Sequence, residues 1–502
     1  MLPAYTGTAV RAAEQPLLAQ GQGDALMRRA AWGLSQHVLG LLRERGQVSG
    51  ATVAALVGPG NNGGDALWAL SFLRRRGVRA VAVPVAERLH DVGHAALLAA
   101  GGQVVGQIPA DAAVVIDGIL GTGARGAFQR PAQAQVPDGA AVVACDVPSG
   151  VDADTGRVLG EVIPAEVTVT FGAVKTGLLL GAGAQAAGRV ELVEIGLDPH
   201  LGAPDLQSVT AAEMLEVFGP PRWDDHKYTR GVLGAAAGSE QYPGAAALVC
   251  RASLSAGLGM VRLVAPPSVR TLVLTAAPEV VAQPDVSGRT SAWVCGPGLG
   301  EDQDALDRLA EVVDRAAQDG QPVVLDASAL ALMTLTQVRR LRAGGAAVVM
   351  TPHRGELVQL AQRLGPEAGL QPGEWGDRLD TDPVGAVREL AAAVDVVLVA
   401  KGPSTLVVSP EGEALVQTEG GPELATGGTG DCLAGVIGAA LARAQAGSPR
   451  EMAVAVAAAV RLHGMAGAQA AQDGPFGASA LPDQIRSVIA TAAGSRWRRS
   501  NP

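Results

Sequence analysis

The sequence predicts an α/β protein of two domains. Three observations carry this. Short apolar runs alternate with helical patterns in two separate series, the signature of parallel sheets flanked by helices. At about 150 residues per domain, 502 residues exceed one packed core. Glycine-rich loops follow the ends of several apolar runs, at the point where a strand hands over to a helix. With 48% hydrophobic residues and a net charge of −10 the chain is a folded one, and disorder is excluded as its main state.

In the first series the predicted strands are 52–57, 80–85, 114–117, 142–146, 167–171 and 190–195. From 196 to about 225 the pattern weakens, broken by Pro199, Pro204, Pro220 and Pro221 around a short amphipathic piece, Ala211–Phe218. The domains are therefore placed at 1–205 and 225–495, with a linker at 206–224. The second series has strands near 232–237, 261–264, 293–295, 323–326, 347–350, 396–400 and 405–408, then Ala- and Leu-rich helices from Cys432 onward. The stretch 367–383, with Pro, Gly, Asp and Trp but no periodicity, reads as a surface loop.

The acidic balance offers no footprint for nucleic acid, which needs a basic patch to neutralise phosphates. The first residues lack a basic segment followed by an apolar run, and no apolar stretch reaches the roughly 18 residues that span a bilayer. No membrane association and a cytoplasmic location are expected. The four cysteines, Cys145, Cys250, Cys295 and Cys432, are far apart in apolar patterns and read as buried thiols. His90 and His94 have i, i+4 spacing without a third ligand, which argues against a metal there.

Chemistry concentrates in the loops. Gly58-Pro59-Gly60-Asn61-Asn62-Gly63-Gly64-Asp65 follows a strand and precedes a helical pattern at 66–76. Glycines there let the backbone approach a ligand, and the helix N-terminus favours phosphate. Asp117 to Gly126 and Asp146 to Asp152 repeat the character at two further strand ends, and in a parallel sheet such loops converge on one crevice. In the second half, Ala425-Thr426-Gly427-Gly428-Thr429-Gly430-Asp431 opens a helix, an arrangement that presents amides and the helix dipole to an anion beside a proton-accepting carboxylate. Lys401-Gly402-Pro403-Ser404-Thr405 follows a buried strand and places a lysine and hydroxyls at a nucleotide's phosphates. His353, in Thr351-Pro352-His353-Arg354-Gly355-Glu356, reads as a substrate contact.

With Val169 to Gly177 added, the first-half motifs resemble the NAD(P)H-hydrate epimerase domain over roughly residues 1–200. The resemblance implies a Rossmann-like α/β/α domain. It implies that Asn61, Asn62, Gly63, Gly64 and Asp65, together with Gly121, Thr122, Gly123, Ala124, Arg125, Gly126 and Ala127, contact the hydrated dinucleotide, as does Asp146. It assigns potassium to Asn62, Asp117 and Ser149, oxygen donors that suit a hard cation. Ala66 stands where the family usually has Gly. Asp146 is the candidate acid/base for epimerisation, with a purely positioning role as the alternative.

The second-half motifs, in order and spacing, resemble the ADP-dependent NAD(P)H-hydrate dehydratases over roughly 222–490, a ribokinase-like α/β/α domain. By resemblance Ala245, Gly298, His353 and Asp431 contact the hydrate. Lys401, Gly402, Pro403, Ser404, Thr405, Gly421 and Ala425, Thr426, Gly427, Gly428, Thr429, Gly430 bind ADP, with magnesium expected alongside it. Ser328, Arg354 and the run Gly420-Gly421-Pro422-Glu423-Leu424 depart from the usual pattern. The expected function is repair of hydrated NADH and NADPH: R/S epimerisation by the first domain, and by the second, ADP-driven dehydration of the S form with Asp431 as base. A homo-oligomer taking only small-molecule substrates is expected. The alternative is a vitamin-precursor kinase acting on thiazole or pyrimidine alcohols, fused to a non-catalytic dinucleotide-binding module.

Overall fold

The computed structural model describes residues 1–124, 126–371, 373–444 and 448–494. The chain forms two compact units, one spanning Pro3–Leu206 and the other Gln207 onward together with Met1–Leu2.

The first unit is built on seven parallel strands. In spatial order they are Gln103–Val104, Arg79–Pro84, Thr52–Val57, Ala112–Gly118, Ala141–Cys145, Val167–Phe171 and Arg189–Val193. Thr52–Val57 and Val167–Phe171 are buried at every position, so both faces are covered, and Ala, Val and Leu supply the core in place of the scarce aromatics. Among the covering helices are Gly23–Glu44 and Asn61–Arg74. From Thr52–Val57 the chain first builds outward to Arg79–Pro84, then returns to the opposite side at Ala112–Gly118. The order therefore reverses between those two central strands, and the crevice beyond their carboxyl ends is where ligands bind in open α/β sheets.

In the second unit a parallel set runs Val281–Gln283, Met260–Val264, Val232–Ala236, Ala292–Cys295, Val323–Leu325, Val348–Met350 and Val397–Ala400. It is extended by the antiparallel strands Thr405–Val408 and Ala414–Gln417. Its order reverses between Val232–Ala236 and Ala292–Cys295. The helix Thr429–Ala444 packs close on these strands: a Cβ at Gly438 would lie 2.5 Å from Val294 and 2.9 Å from Leu233.

Three expectations are corrected. The segment placed as a linker, 206–224, carries the strand Leu206–Ser208 and the helix Ala211–Phe218, opened by a capping box of Thr210 and Glu213. Met214 and Phe218 of that helix are buried in the second unit's core, so the prolines bound an element. Within 367–383, Trp375–Thr381 is helical: Trp375 and Leu379, one turn apart, are both buried, and Arg378 lies over the Trp375 ring. Both helices at the glycine-rich loops start earlier than their apolar patterns, at Asn61 and at Thr429, because polar and glycine residues form their first turns. The four cysteines are buried free thiols, and no described helix is long and apolar enough to cross a membrane.

Candidate active sites

In the first unit the loops after the two central strands touch. An ideal Cβ at Gly58 would stand 2.0 Å from the Ile119 carbonyl oxygen, so only glycine fits there. Gly58→Ala should cost about 1–3 kcal/mol through backbone displacement, read as a shifted denaturation midpoint at unchanged slope. Asn62, in the first turn of its helix, donates from Nδ2 to the Leu120 carbonyl at 2.8 Å. Asp117, fully buried, accepts from the Ser149 amide and hydroxyl, both at 2.7 Å, and from the Ile119 amide at 3.3 Å. The Ser149 hydroxyl also accepts from the Leu120 amide at 3.1 Å. Burial raises the Asp117 carboxyl, and no Lys or Arg among the described residues forms an ion pair with it.

Asp146 follows the next strand in the left-handed region, with φ 67°, a conformation that non-glycine residues adopt at a cost of about 1–3 kcal/mol. Its Oδ1 accepts from Lys175 Nζ at 2.5 Å and from the Thr170 hydroxyl and the Phe171 amide at 3.2 Å each. Lys175 is fully buried, and also donates to Thr170 Oγ1 at 3.1 Å and to the Phe171 carbonyl at 2.7 Å. Asp65 is buried with Oδ1 unpartnered, and its carboxyl is pushed well above the usual range by burial, then by the charges of Asp146 and Glu14. The structure thus gathers Asn62, Asp117 and Ser149 into one polar knot, and places Asp65 and Asp146 within electrostatic reach of one another. Gly123, Gly126 and Ala127 are exposed, and Arg125 lies outside the described residues.

In the second unit, the Gly238 amide donates to the Pro297 carbonyl at 2.8 Å across the reversal point. Gly298, with φ 62°, sits where a Cβ would meet that of Ala245 at 2.6 Å, so these two expected hydrate contacts adjoin. Along the next strand ends, Lys401 Nζ pairs with Asp326 Oδ1 at 2.8 Å and approaches Glu356 at 3.9 Å, while the Thr351 hydroxyl donates to Asp326 at 2.7 Å. Lys401 Nζ lies 3.7 Å from where a Cβ of Gly430 would be, which puts it at the start of the helix Thr429–Ala444. The first-turn amides of that helix have no carbonyl within it to accept them. The Ser404 hydroxyl oxygen is buried without a partner, and Thr405 bonds back to the Gly402 carbonyl at 3.0 Å. Asp431 stands in the first turn, its carboxyl raised to about 6 by burial and then by Asp326, with Lys401 opposing. His353 caps its helix, Nδ1 accepting from the Gly355 and Glu356 amides at 3.0 and 3.2 Å, and its side chain remains exposed. His90 likewise caps Asp91–Ala99.

Sequence reasoning placed Thr170, Lys175, Asp326 and Thr351 inside motifs without giving any of them a role of its own, and it did not single out Glu14 or His463. His463 is buried against the Thr429 carbonyl at 3.0 Å, its imidazole lowered to about 4 by burial. Its one signal was a histidine following the Ala- and Val-rich stretch of its helix.

The family model for NAD(P)H-hydrate dehydratase matches residues 233–490, and that for the YjeF-related protein N-terminus matches 23–177. A bifunctional NAD(P)H-hydrate repair enzyme of Mycobacterium leprae is 40% identical over 500 residues, 97% of this chain and 99% of that one. The chain belongs to the family of bifunctional NAD(P)H-hydrate repair enzymes. Another member, from Mycobacterium tuberculosis, is 42% identical over 448 residues, covering 87% of this chain and 89% of its own length. An NAD(P)H-hydrate epimerase of Clavibacter michiganensis is 44% identical over 216 residues, 39% of this chain and 90% of that protein. A crystal structure of an ADP/ATP-dependent NAD(P)H-hydrate dehydratase from Bacillus subtilis, with ATP and Mg2+, is 25% identical with a TM-score of 0.48, covering 59% of this chain and 99% of that one. The repair-enzyme family supplies both halves of this chain in one polypeptide, matching its two units.

Proposed function

We infer that the first unit interconverts the R and S forms of hydrated NADH and NADPH, and that the second dehydrates the S form using ADP, yielding AMP and phosphate. The observation that carries the second activity is the convergence of Lys401 and Asp431 at the N-terminus of the helix Thr429–Ala444. Lys401, Ser404 and the amides of Gly427 to Gly430 bind the ADP phosphates. Asp431 takes the proton from the ring hydroxyl as its oxygen attacks the terminal phosphorus, and the amides and Lys401 stabilise charge developing on the phosphoryl oxygens. Elimination of phosphate then restores the nicotinamide. Ala245, Gly298 and His353 position the hydrate. Among the described residues no three His, Cys, Asp or Glu side chains form a ready-made metal cluster. Asp326 and Glu356 beside Lys401 carry hard carboxylate oxygens that would hold a magnesium ion bound with the nucleotide, where it would offset phosphate charge.

Asp431 must be ionised to act. With its carboxyl raised to about 6, dehydration should fall as pH drops through about 6 and level off above it, read as the acid limb of kcat for pure S hydrate.

In the first unit, Asn61 to Asp65 and the loop from Gly121 to Ala127 cradle the dinucleotide, and Asp146 serves the proton transfer. Asn62, Asp117 and Ser149 offer an amide, a carboxylate and a hydroxyl, and the buried Asp117 forms no ion pair among the described residues, Arg130 acting on it only at a distance, a set that fits potassium. When bound there the ion supplies the compensating positive charge next to the phosphate loop. The reaction is tested by supplying ADP and S hydrate and measuring products. AMP, phosphate and reduced nicotinamide in equal amounts support it, while a stable phosphorylated alcohol indicates a kinase.

A further inference from the structure

Lys175 has three ammonium hydrogens, and all are spent: on Asp146 Oδ1, Thr170 Oγ1 and the Phe171 carbonyl. None remains for Asp65. Yet Asp65 is buried and its Oδ1 has no partner, and the first turn that carries it meets the Asp146 strand end, where Cys145 Sγ donates to the Asn62 carbonyl at 3.7 Å. A buried acceptor left unpaired costs about 1–3 kcal/mol and persists where something else uses it. Two carboxyls in one site, one locked to a cation and one denied it, are how a fold divides acid from base.

We propose that Asp65 and Asp146 form the acid/base pair of epimerisation, Asp146 as base, with Lys175 positioning it, and Asp65 as acid. This rests on the reading of the first unit as an epimerase. In the hydrate, the carbon bearing the hydroxyl is bonded to the ring nitrogen. Asp146 takes the hydroxyl proton, the O–H pair becomes the second bond of a carbonyl, and the carbon–nitrogen bond breaks. Its electron pair goes to nitrogen, which takes a proton from Asp65. The open-chain aldehyde turns about its neighbouring carbon–carbon bond and recloses on the other face, returning each proton to its source. Nothing is oxidised or reduced, and no co-reactant is consumed. Burial and the neighbouring charges of Asp146 and Glu14 shift the Asp65 carboxyl upward, the direction a proton donor needs. The charged and titratable groups around it are Glu14, Cys145, Asp146 and Lys175, with Arg11 acting on Glu14.

The test uses the full chain and R hydrate. Asp65→Asn, which keeps the size of the side chain, should lower kcat for R/S exchange at least about a hundredfold, leave KM within about threefold and remove the alkaline limb of the pH profile. A kcat within threefold of wild type, or a rise in KM alone, overturns the assignment. Independently of any variant, exchange by the wild-type chain in 18O-labelled water should leave the substrate oxygen unlabelled. Label entering at the rate of epimerisation means the hydroxyl itself departs, which overturns ring opening. A wild-type chain that exchanges R and S not at all overturns the epimerase reading itself, so the two failures are told apart.

Discussion

Asp431→Asn is expected to abolish dehydration, lowering kcat for S hydrate with ADP at least about a hundredfold, because the amide cannot take the hydroxyl proton. The same substitution should stabilise the fold at neutral pH. Burial holds this carboxyl near 6, well above the ordinary 3.8 of an aspartate, so the folded state binds the proton more tightly than the unfolded state does. Such a group favours folding when protonated, below the unfolded value, and loses that contribution as pH rises through about 6. At pH 7 the ionised Asp431 therefore costs stability, up to about 3 kcal/mol at 1.36 kcal/mol per pKa unit. Asp431→Asn should melt higher than wild type at pH 7, and this gain should vanish below about pH 4. An inactive but more stable variant separates loss of a base from loss of structure; near wild-type turnover would remove Asp431 from the chemistry.

Asp146→Ala is expected to slow R/S exchange by about a hundredfold or more while dehydration of pure S hydrate, carried by the other unit, continues. The variant also strands Lys175, whose ammonium loses its carboxylate partner while fully buried, at a cost of several kcal/mol. Asp146→Asn keeps a carbonyl oxygen toward Lys175 and offers the milder comparison. If exchange falls in the alanine variant but is retained by asparagine, Asp146 positions and does not transfer a proton.

The glycine-rich loops were legible in the sequence because a strand-to-helix turn that meets a ligand demands particular residue types close together in the chain. Asn62, Gly63 and Asp65 are one such cluster and Gly427 to Asp431 another. What pairs across the fold was not legible. Lys175 is 29 positions from the Asp146 it neutralises, and Asp326 is 75 from Lys401; only the sheet's strand order brings these ends together. The helix starts at Asn61 and Thr429 were read late for a related reason. Glycine and asparagine weaken a helical pattern, yet their first turns are anchored by side-chain bonds, across the fold from Asn62 to the Leu120 carbonyl and locally from Thr429 Oγ1 to the Leu424 carbonyl. The prolines around Ala211–Phe218 misled in the opposite direction, because they mark the ends of an element whose apolar face is buried.

The central claim is that two different active sites in one chain repair both epimers. The measurement that tests it most directly gives the full chain an R and S hydrate mixture with ADP, or with ATP, and follows the return of reduced-nicotinamide absorbance. Complete recovery is predicted, fast for the S portion and then at the rate of epimerisation for the rest. A plateau at the S portion, faster than spontaneous exchange can relieve it, would contradict an active first site, and no recovery with either nucleotide would contradict the second.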